Sequence, residues 1–483
     1  MLDFRKGTAK KKGTRARKKR RESTAAVLAP PRPGWGGGAE SSYKAESAPS
    51  RSPARPAAQP RRRSQARPGS VAHFLVAAFR DYDQPLLIVV GTLLMLGLVM
   101  VYSASFPIAY TYFERSTYFF TRQLMWTAIG IVTLLVFMRI DYHLWQRLAV
   151  VILLGTLALL IAPLLVKATR FGAAQSLLRS GSIQPSEAAK LALVIYNAAW
   201  LASKGDRLRQ VGSGLIPYAV ILAMVDGLII MEPDFGTATL LVVIAVAMFF
   251  IAGAEIKQLF FGSALLSSAL AFFISQSSHA MQRVNDFVAT IKDPLNGGSC
   301  HVRKVIIALA SGGLLGQGIG QSQIKGEGGV PLPWSDSIFA ILGSELGLLG
   351  TLFVLSLFLT LAYRGLRITL NAPDKDHFGG ILAFGITCWL VFQAFINIAV
   401  ITATAPLTGM TLPFISFGGS SLVTSLAGVG ILLNISRAGN RKDVDHAPTG
   451  LWRWNRGARL SGDSRDTEPP PPDRRADSPR RAR

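Results

Sequence analysis

The feature that most constrains this chain is a succession of apolar runs, most of them about 16–20 residues long, between residues 86 and 435. Coiled as a helix at about 1.5 Å per residue, such a run matches the roughly 30 Å of a bilayer's hydrocarbon core. Hydrocarbon offers backbone N–H and C=O groups no partner, so a single apolar run crosses it as a helix, which satisfies them internally. Ten runs can be marked: 86–102, 124–138, 148–166, 188–202, 215–230, 237–252, 259–274, 338–363, 379–400 and 413–435. The sequence therefore predicts an all-α integral membrane protein with ten transmembrane helices.

Charge is segregated around that body. The chain has 483 residues and a net charge of +24, of which residues 1–80 carry +16 and residues 437–483 carry +5. The first 80 residues, with KKKGTRARKKRR and RSPARPAAQPRRRSQARP, lack any apolar period and are expected to form a disordered basic cytoplasmic tail. Residues 81–437 form the expected membrane domain, and 438–483 a second disordered cytoplasmic tail. Basic tails attach to anionic lipid or nucleic acid, at about 1 kcal/mol per residue near a lipid surface, or simply enforce topology. No specific nucleic-acid partner is expected. The N-terminus is polar well beyond the length of a signal peptide, so the run near Leu86 is expected to act as the insertion signal. Two cysteines and six scattered histidines give no disulfide framework and no metal-ligand spacing.

Basic residues in short loops set the orientation. With the N-terminal tail inside, the inner loops carry Arg139 and Arg147, Lys204, Arg207 and Arg209, Lys257, and then Arg364 and Arg367. An even number of spans returns the C-terminal tail to the cytoplasm. Segment 275–337 then becomes a large extracytoplasmic loop between helices 7 and 8. A loop of that length is uncommon unless it is functional. Within it, VRKVIIALASGGLLGQGIGQS reads as a short helix on or dipping into the bilayer, followed by a glycine-rich turn.

Ionisable side chains in or beside apolar runs are costly and commonly line a polar cavity or pathway. Glu187 and Lys190, spaced i, i+3, share a helix face; they either pair to hold helices together or line a site for a polar substrate. Asp226 is placed near the outer end of its run, where it reaches water. Asp234, just ahead of a run, reads as an N-cap. Asp336 stands at the start of another run, in PLPWSDSIFAILG, where it is either an N-cap or a general base. The prolines of PLPW restrict the backbone that would aim such a base.

Six motifs carry a resemblance. MVYSAS (100–105), RQLMW with RIDYHLW (from Arg122 and Arg139), IQPSEAAKLALVIY (183–196), MEPDFGTA (231–238), SGGLLGQGIGQS leading into PLPWSDSIFAILGSELGLLG, and PLTGMTLPFISFGGSS (406–421) follow one another in order. Together they resemble the SEDS family (shape, elongation, division and sporulation), which includes FtsW and RodA, from about Asp83 to Arg437. The likeness implies a SEDS-type bundle that polymerises lipid II into glycan strands on the outer face of the bacterial cytoplasmic membrane. It also implies a class B penicillin-binding protein as cross-linking partner. The family's essential aspartate falls on Asp336, and its fourth-span Glu and Lys fall on Glu187 and Lys190. The His-Thr that precedes the aspartate in the family's pattern is Trp334-Ser335 here, the Phe that follows it is Ser337, and a Gln of the large loop is replaced by His301.

On this reading Asp336 takes the proton of the attacking sugar hydroxyl, with Ser335 beside it a candidate substrate contact. The departing diphosphate wants positive charge, for which Arg283, Lys304 and Lys190 are candidates by position. No cofactor is required; a divalent cation, Mg or Mn, bridging the diphosphate is compatible with the sequence. A lipid II flippase and a non-catalytic scaffold for a transpeptidase are the competing classes.

Overall fold

The computed structural model describes residues 81–169, 184–232, 234–293, 297–326, 328–373 and 376–445. Residues 1–80, residues 446–483 and the Gln175-Ser176 stretch before the fourth run lie outside the described residues, whereas residues 438–445, expected as disordered tail, are helical. Twelve helices are present among the described residues: α1 (Gln84–Phe113), α2 (Tyr118–Arg139), α3 (His143–Thr169), α4 (Pro185–Lys204), α5 (Ile216–Met231), α6 (Phe235–Ile251), α7 (Ile256–Gln276), α8 (Ser278–Lys292), α9 (Cys300–Ser311), α10 (Ile338–Leu370), α11 (His377–Ile401) and α12 (Gly419–Asp445).

Each of the ten apolar runs falls on one of these helices, but the expected count of crossings is met only in part. Among the described residues, eight helices are long and apolar enough to cross a membrane: α1, α2, α3, α5 with the turn before it, α7, α10, α11 and α12. Helix α6 is apolar but has 17 residues. Helix α4 has 20 and carries Glu187 and Lys190. The last run also starts later than expected: residues 413–418 form a turn, and the helix opens at Gly419.

Packing sorts the helices into centre and periphery. The most apolar stretch of α11 is 61% buried and that of α12 78%, against 11% for α7, so α11 and α12 form the axis and α7 faces outward. Helix α12 lies against α2, where small residues let the backbones approach. A Cβ on Gly430 would sit 2.7 Å from the Leu134 carbonyl oxygen, and one on Gly130 would sit 2.5 Å from a Leu426 methyl.

Segment 275–337 is not structureless. It contains α8 and α9, each opened by a serine whose hydroxyl accepts a backbone N–H: Ser277 from Ala280 at 3.3 Å, and Ser299 from Val302 at 3.4 Å. The glycine-rich turn after α9 then enters a break in α10. Gly347 has φ 68° and ψ −165°, which divides α10 into a short first piece, 338–346, and a longer one, 348–370. Gln317 N–H donates to Ser344 O and Gly318 N–H to Glu345 O, both at 3.0 Å, while Leu348 N–H donates to Gly313 O at 2.9 Å and Leu349 N–H to Leu314 O at 3.2 Å. The turn thus supplies partners that the broken helix cannot supply itself, as a low-dielectric setting demands. Only glycine fits at 347, because a Cβ there would lie 2.6 Å from Leu314 O.

Candidate active site

Asp336 sits where segment 275–337 meets the short first piece of α10. Three successive carbonyls are pinned there: Trp334 O accepts from Phe417 N–H at 2.8 Å, Ser335 O from Ser416 Oγ at 2.7 Å, and Asp336 O from Asn397 Nδ2 at 2.9 Å. Asn397 also donates to Met410 O at 2.7 Å. The Trp334 ring lies 4.5 Å from that of Phe119, which meets Phe417 edge-on. Ser335, proposed above as a substrate contact, is half-buried, and its carbonyl serves this strap. The backbone bearing the aspartate is therefore held by α2, α11 and the turn that precedes α12.

The side chain is half-buried and its Oδ1 is sealed from solvent with no hydrogen-bond partner among the described residues. Burial pushes the carboxyl up to about 6, while the N–H groups of its own residue and of Ser337, and the Arg283 charge, hold back part of the rise. An N-cap would spend its carboxylate on the helix's free N–H groups. The α10 cap is instead Ser337, with no side-chain cap bond.

Arg283, on α8, is half-buried and has no hydrogen-bond or ion-pair partner among the described residues. It lines an apolar groove of about 370 Å³ formed by α6, α7, α8, Ile396 of α11 and residues 405–408, with Phe235, Leu270, Ile274 and Leu407 among its walls. The charge of Arg283, one of the lining residues, also acts on Asp336. Lys304 lies further along α9, close to the Cys300 thiol and to His301. No three His, Cys, Asp or Glu side chains among the described residues converge to hold a metal ion. A divalent cation here would be held chiefly by the diphosphate's own oxygens.

Glu187 and Lys190 pair with each other inside the described bundle. Lys190 is 1% exposed; its Nζ meets Glu187 Oε2 at 2.7 Å and donates to Gln393 Oε1 at 2.9 Å, which also accepts from Trp389 Nε1 at 2.9 Å. Asp234 is an N-cap as expected, its Oδ1 accepting from Thr237 N–H at 3.0 Å. Asp226, expected to reach water, is 5% exposed, and neither of its carboxylate oxygens has a hydrogen-bond partner among the described residues.

Sequence reasoning passed over a second buried ion pair. Lys325 of the large loop pairs with Glu345 of α10 and donates to Ser103 O of α1 at 3.2 Å, while Ser103 Oγ donates to both Glu345 oxygens at 2.7 Å. The rule that flags acids within apolar runs covers Glu345 as well; its loop partner gave no signal. His301, within 3.0 Å of Ser337 Oγ, was equally hidden.

The fold and this site define a class: a helical membrane protein that presents one aimed carboxylate beside an apolar groove. The chain belongs to the FtsW/RodA/SpoVE family, whose model, described as "Cell cycle protein", matches residues 84–441. It is 36% identical over 358 residues to "Probable peptidoglycan glycosyltransferase FtsW" of Geobacter sp. (strain M18), covering 74% of this chain and 96% of that one. To "Stage V sporulation protein E" of Bacillus subtilis (strain 168) it is 39% identical over 359 residues, covering 73% and 96%. Among solved structures, a chain of a complex described as "Structural coordination of polymerization and crosslinking by a peptidoglycan synthase complex" matches with TM-score 0.60 and 24% identity, over 74% of this chain and 98% of that one. Thermus thermophilus RodA matches with TM-score 0.53 and 24% identity, over 74% and 97%. At these identities the structures speak for the fold alone.

Proposed function

We propose that this protein is a peptidoglycan glycosyltransferase that polymerises lipid II, with Asp336 as general base. Relatives bearing that activity in their names, at 36–37% identity over most of the chain, support the reaction class. The observation that carries the residue assignment is the immobilised carboxylate whose Oδ1 has no hydrogen-bond partner among the described residues, within the electrostatic reach of Arg283, which lines an apolar groove. A polyprenyl chain suits the groove and a diphosphate suits Arg283. The acceptor hydroxyl attacks the anomeric carbon opposite the leaving group, Asp336 takes its proton, and the C–O bond to the diphosphate breaks with its electron pair leaving on oxygen. General-base catalysis of this kind contributes typically about 10²–10⁴-fold.

The expected ten-span topology, with both termini cytoplasmic, is part of the proposal. Asp336 lies at the end of the bundle opposite Asp83 and Arg437, which flank the two basic tails. At that opposite end Asp83 pairs with Arg364 at 2.5 Å, and the Arg437 guanidinium lies 5.4 Å from the centre of the Tyr82 ring. A cross-linking partner of the class B penicillin-binding type fits the second apolar groove, about 470 Å³, between α9, α10 and α11. Gly313 lines it with open space where a Cβ would stand, which leaves room for a partner helix to approach closely.

The test is purified full-length protein with lipid II, read by a gel for glycan chains. Wild type forms chains without any added glycosyltransferase, and Asp336→Asn, inserted and folded, forms none. Chains from the Asn variant at the wild-type rate would sink the assignment; no chains from wild type, alone or with its partner, would favour a flippase or a scaffold.

A further inference from the structure

Ser337 is fully buried at the N-cap of α10, yet its hydroxyl makes no cap bond. A buried hydroxyl requires a partner, and here the partner is His301 Nε2, at 3.0 Å. His301 stands in the first turn of α9, so this contact ties α9 to the start of α10 beside the aspartate. Neither position follows the resembled pattern, which has Phe where Ser337 stands and Gln where His301 stands.

The surroundings define what this imidazole can do. Arg283 faces it from α8 and Lys304 from its own helix, Asp336 lies one residue from its partner, and α11 contributes only the uncharged Asn397 against Asp336 O. Burial, with Lys304 and Arg283 adding to it, holds the imidazole below its usual titration range, so the ring is neutral at pH 7.

We propose that His301 is a positioning residue for Asp336: by holding Ser337 Oγ it fixes the backbone N–H that faces the aspartate's carboxylate. The inference rests on the reading of Asp336 as the base. Loss of the imidazole loosens the aim of the carboxylate, and an error of about 1 Å in such a group costs up to roughly 10²-fold.

The experiment measures lipid II polymerisation by the full-length protein from pH 5 to 9. It compares wild type with His301→Ala, Ser337→Ala, the double variant and His301→Gln. His301→Ala and Ser337→Ala are each expected to lower kcat roughly 10-fold with little change in KM for lipid II. The double variant is expected to be no slower than the slower single one, because both remove one contact. His301→Gln keeps a hydrogen-bonding group that can hold Ser337 Oγ and should recover most of the rate. Multiplying losses in the double variant, or a His301→Gln variant as slow as Ser337→Ala, would overturn the proposal, and the Gln variant decides alone if the Ala variant does not fold. Asp336→Asn, run alongside, separates the two readings: activity there overturns the base itself, whereas an inactive Asn variant with unaffected His301 variants overturns only the positioning role.

Discussion

At the scale of single residues, burial and charge would restrict Asp336, as the proposed base, to working above mild acidity. Its carboxyl is raised to about 6, and only the ionised form accepts a proton. As pH falls through 6 the ionised fraction declines, so the rate of glycan polymerisation should be half-maximal near pH 6 and drop about tenfold per unit below it. A flat rate between pH 5 and 7 would count against the assignment. Arg283 is expected to act on the leaving group. Arg283→Gln should lower kcat/KM for lipid II by about 10–100-fold, with Arg283→Lys recovering part of it, as a single charge contact to a diphosphate warrants. Asp336 was legible in the sequence because two prolines and a tryptophan precede a lone acid at the head of an apolar run. His301 was not, because its contact spans 36 positions and two helices. Spacing arguments do not reach across such a distance.

Elements show where apolar periodicity stops being informative. All ten runs lie on helices, yet nothing in the hydropathy of 338–370 reveals a break at Gly347 or the glycine turn that plugs it. The glycines of SGGLLGQG were readable as a turn, but their target was not. Gly347→Ala forces a Cβ toward Leu314 O in a conformation with φ 68°. It should cost about 1–3 kcal/mol or more in strain, read as a lower unfolding temperature in detergent together with lost polymerisation. Glu187 and Lys190 were readable as a pair but not as a packed one, because Gln393 and Trp389 come from α11. Lys190→Met leaves Glu187 buried without its cation and should destabilise the bundle by about 3–5 kcal/mol. Glu187→Gln in the same background should recover part of that loss in the same thermal assay, since a neutral amide costs less to bury. If Lys190→Met unfolds like wild type while losing activity, the pair belongs to the substrate after all.

For the whole molecule, the apolar runs made its solvent legible, and the ordered motifs made its family legible. The surfaces that meet other molecules were not, because each is assembled from helices distant in sequence. The groove between α9, α10 and α11 combines Leu309, Leu352 and Ile398 from three elements. Leu352→Trp fills it and should reduce co-purification of a cross-linking partner about tenfold, while glycan polymerisation by the isolated chain stays near wild type; an undiminished complex would move the partner elsewhere. The opposite pole is closed by Asp83, Arg364, Tyr82 and Arg437, so both ends of the described bundle are fastened to each other before the tails begin. The strap behind Asp336 has a mechanical corollary. Residues 334–336 hang from Asn397 and from the 416–417 turn, while the loop that delivers them adds the bond from Ser335 N–H to Leu332 O at 3.0 Å. A tilt of that turn would swing the carboxylate with it, so anything that leans on the α11–α12 connection from outside would have a throttle on glycan growth without ever touching sugar.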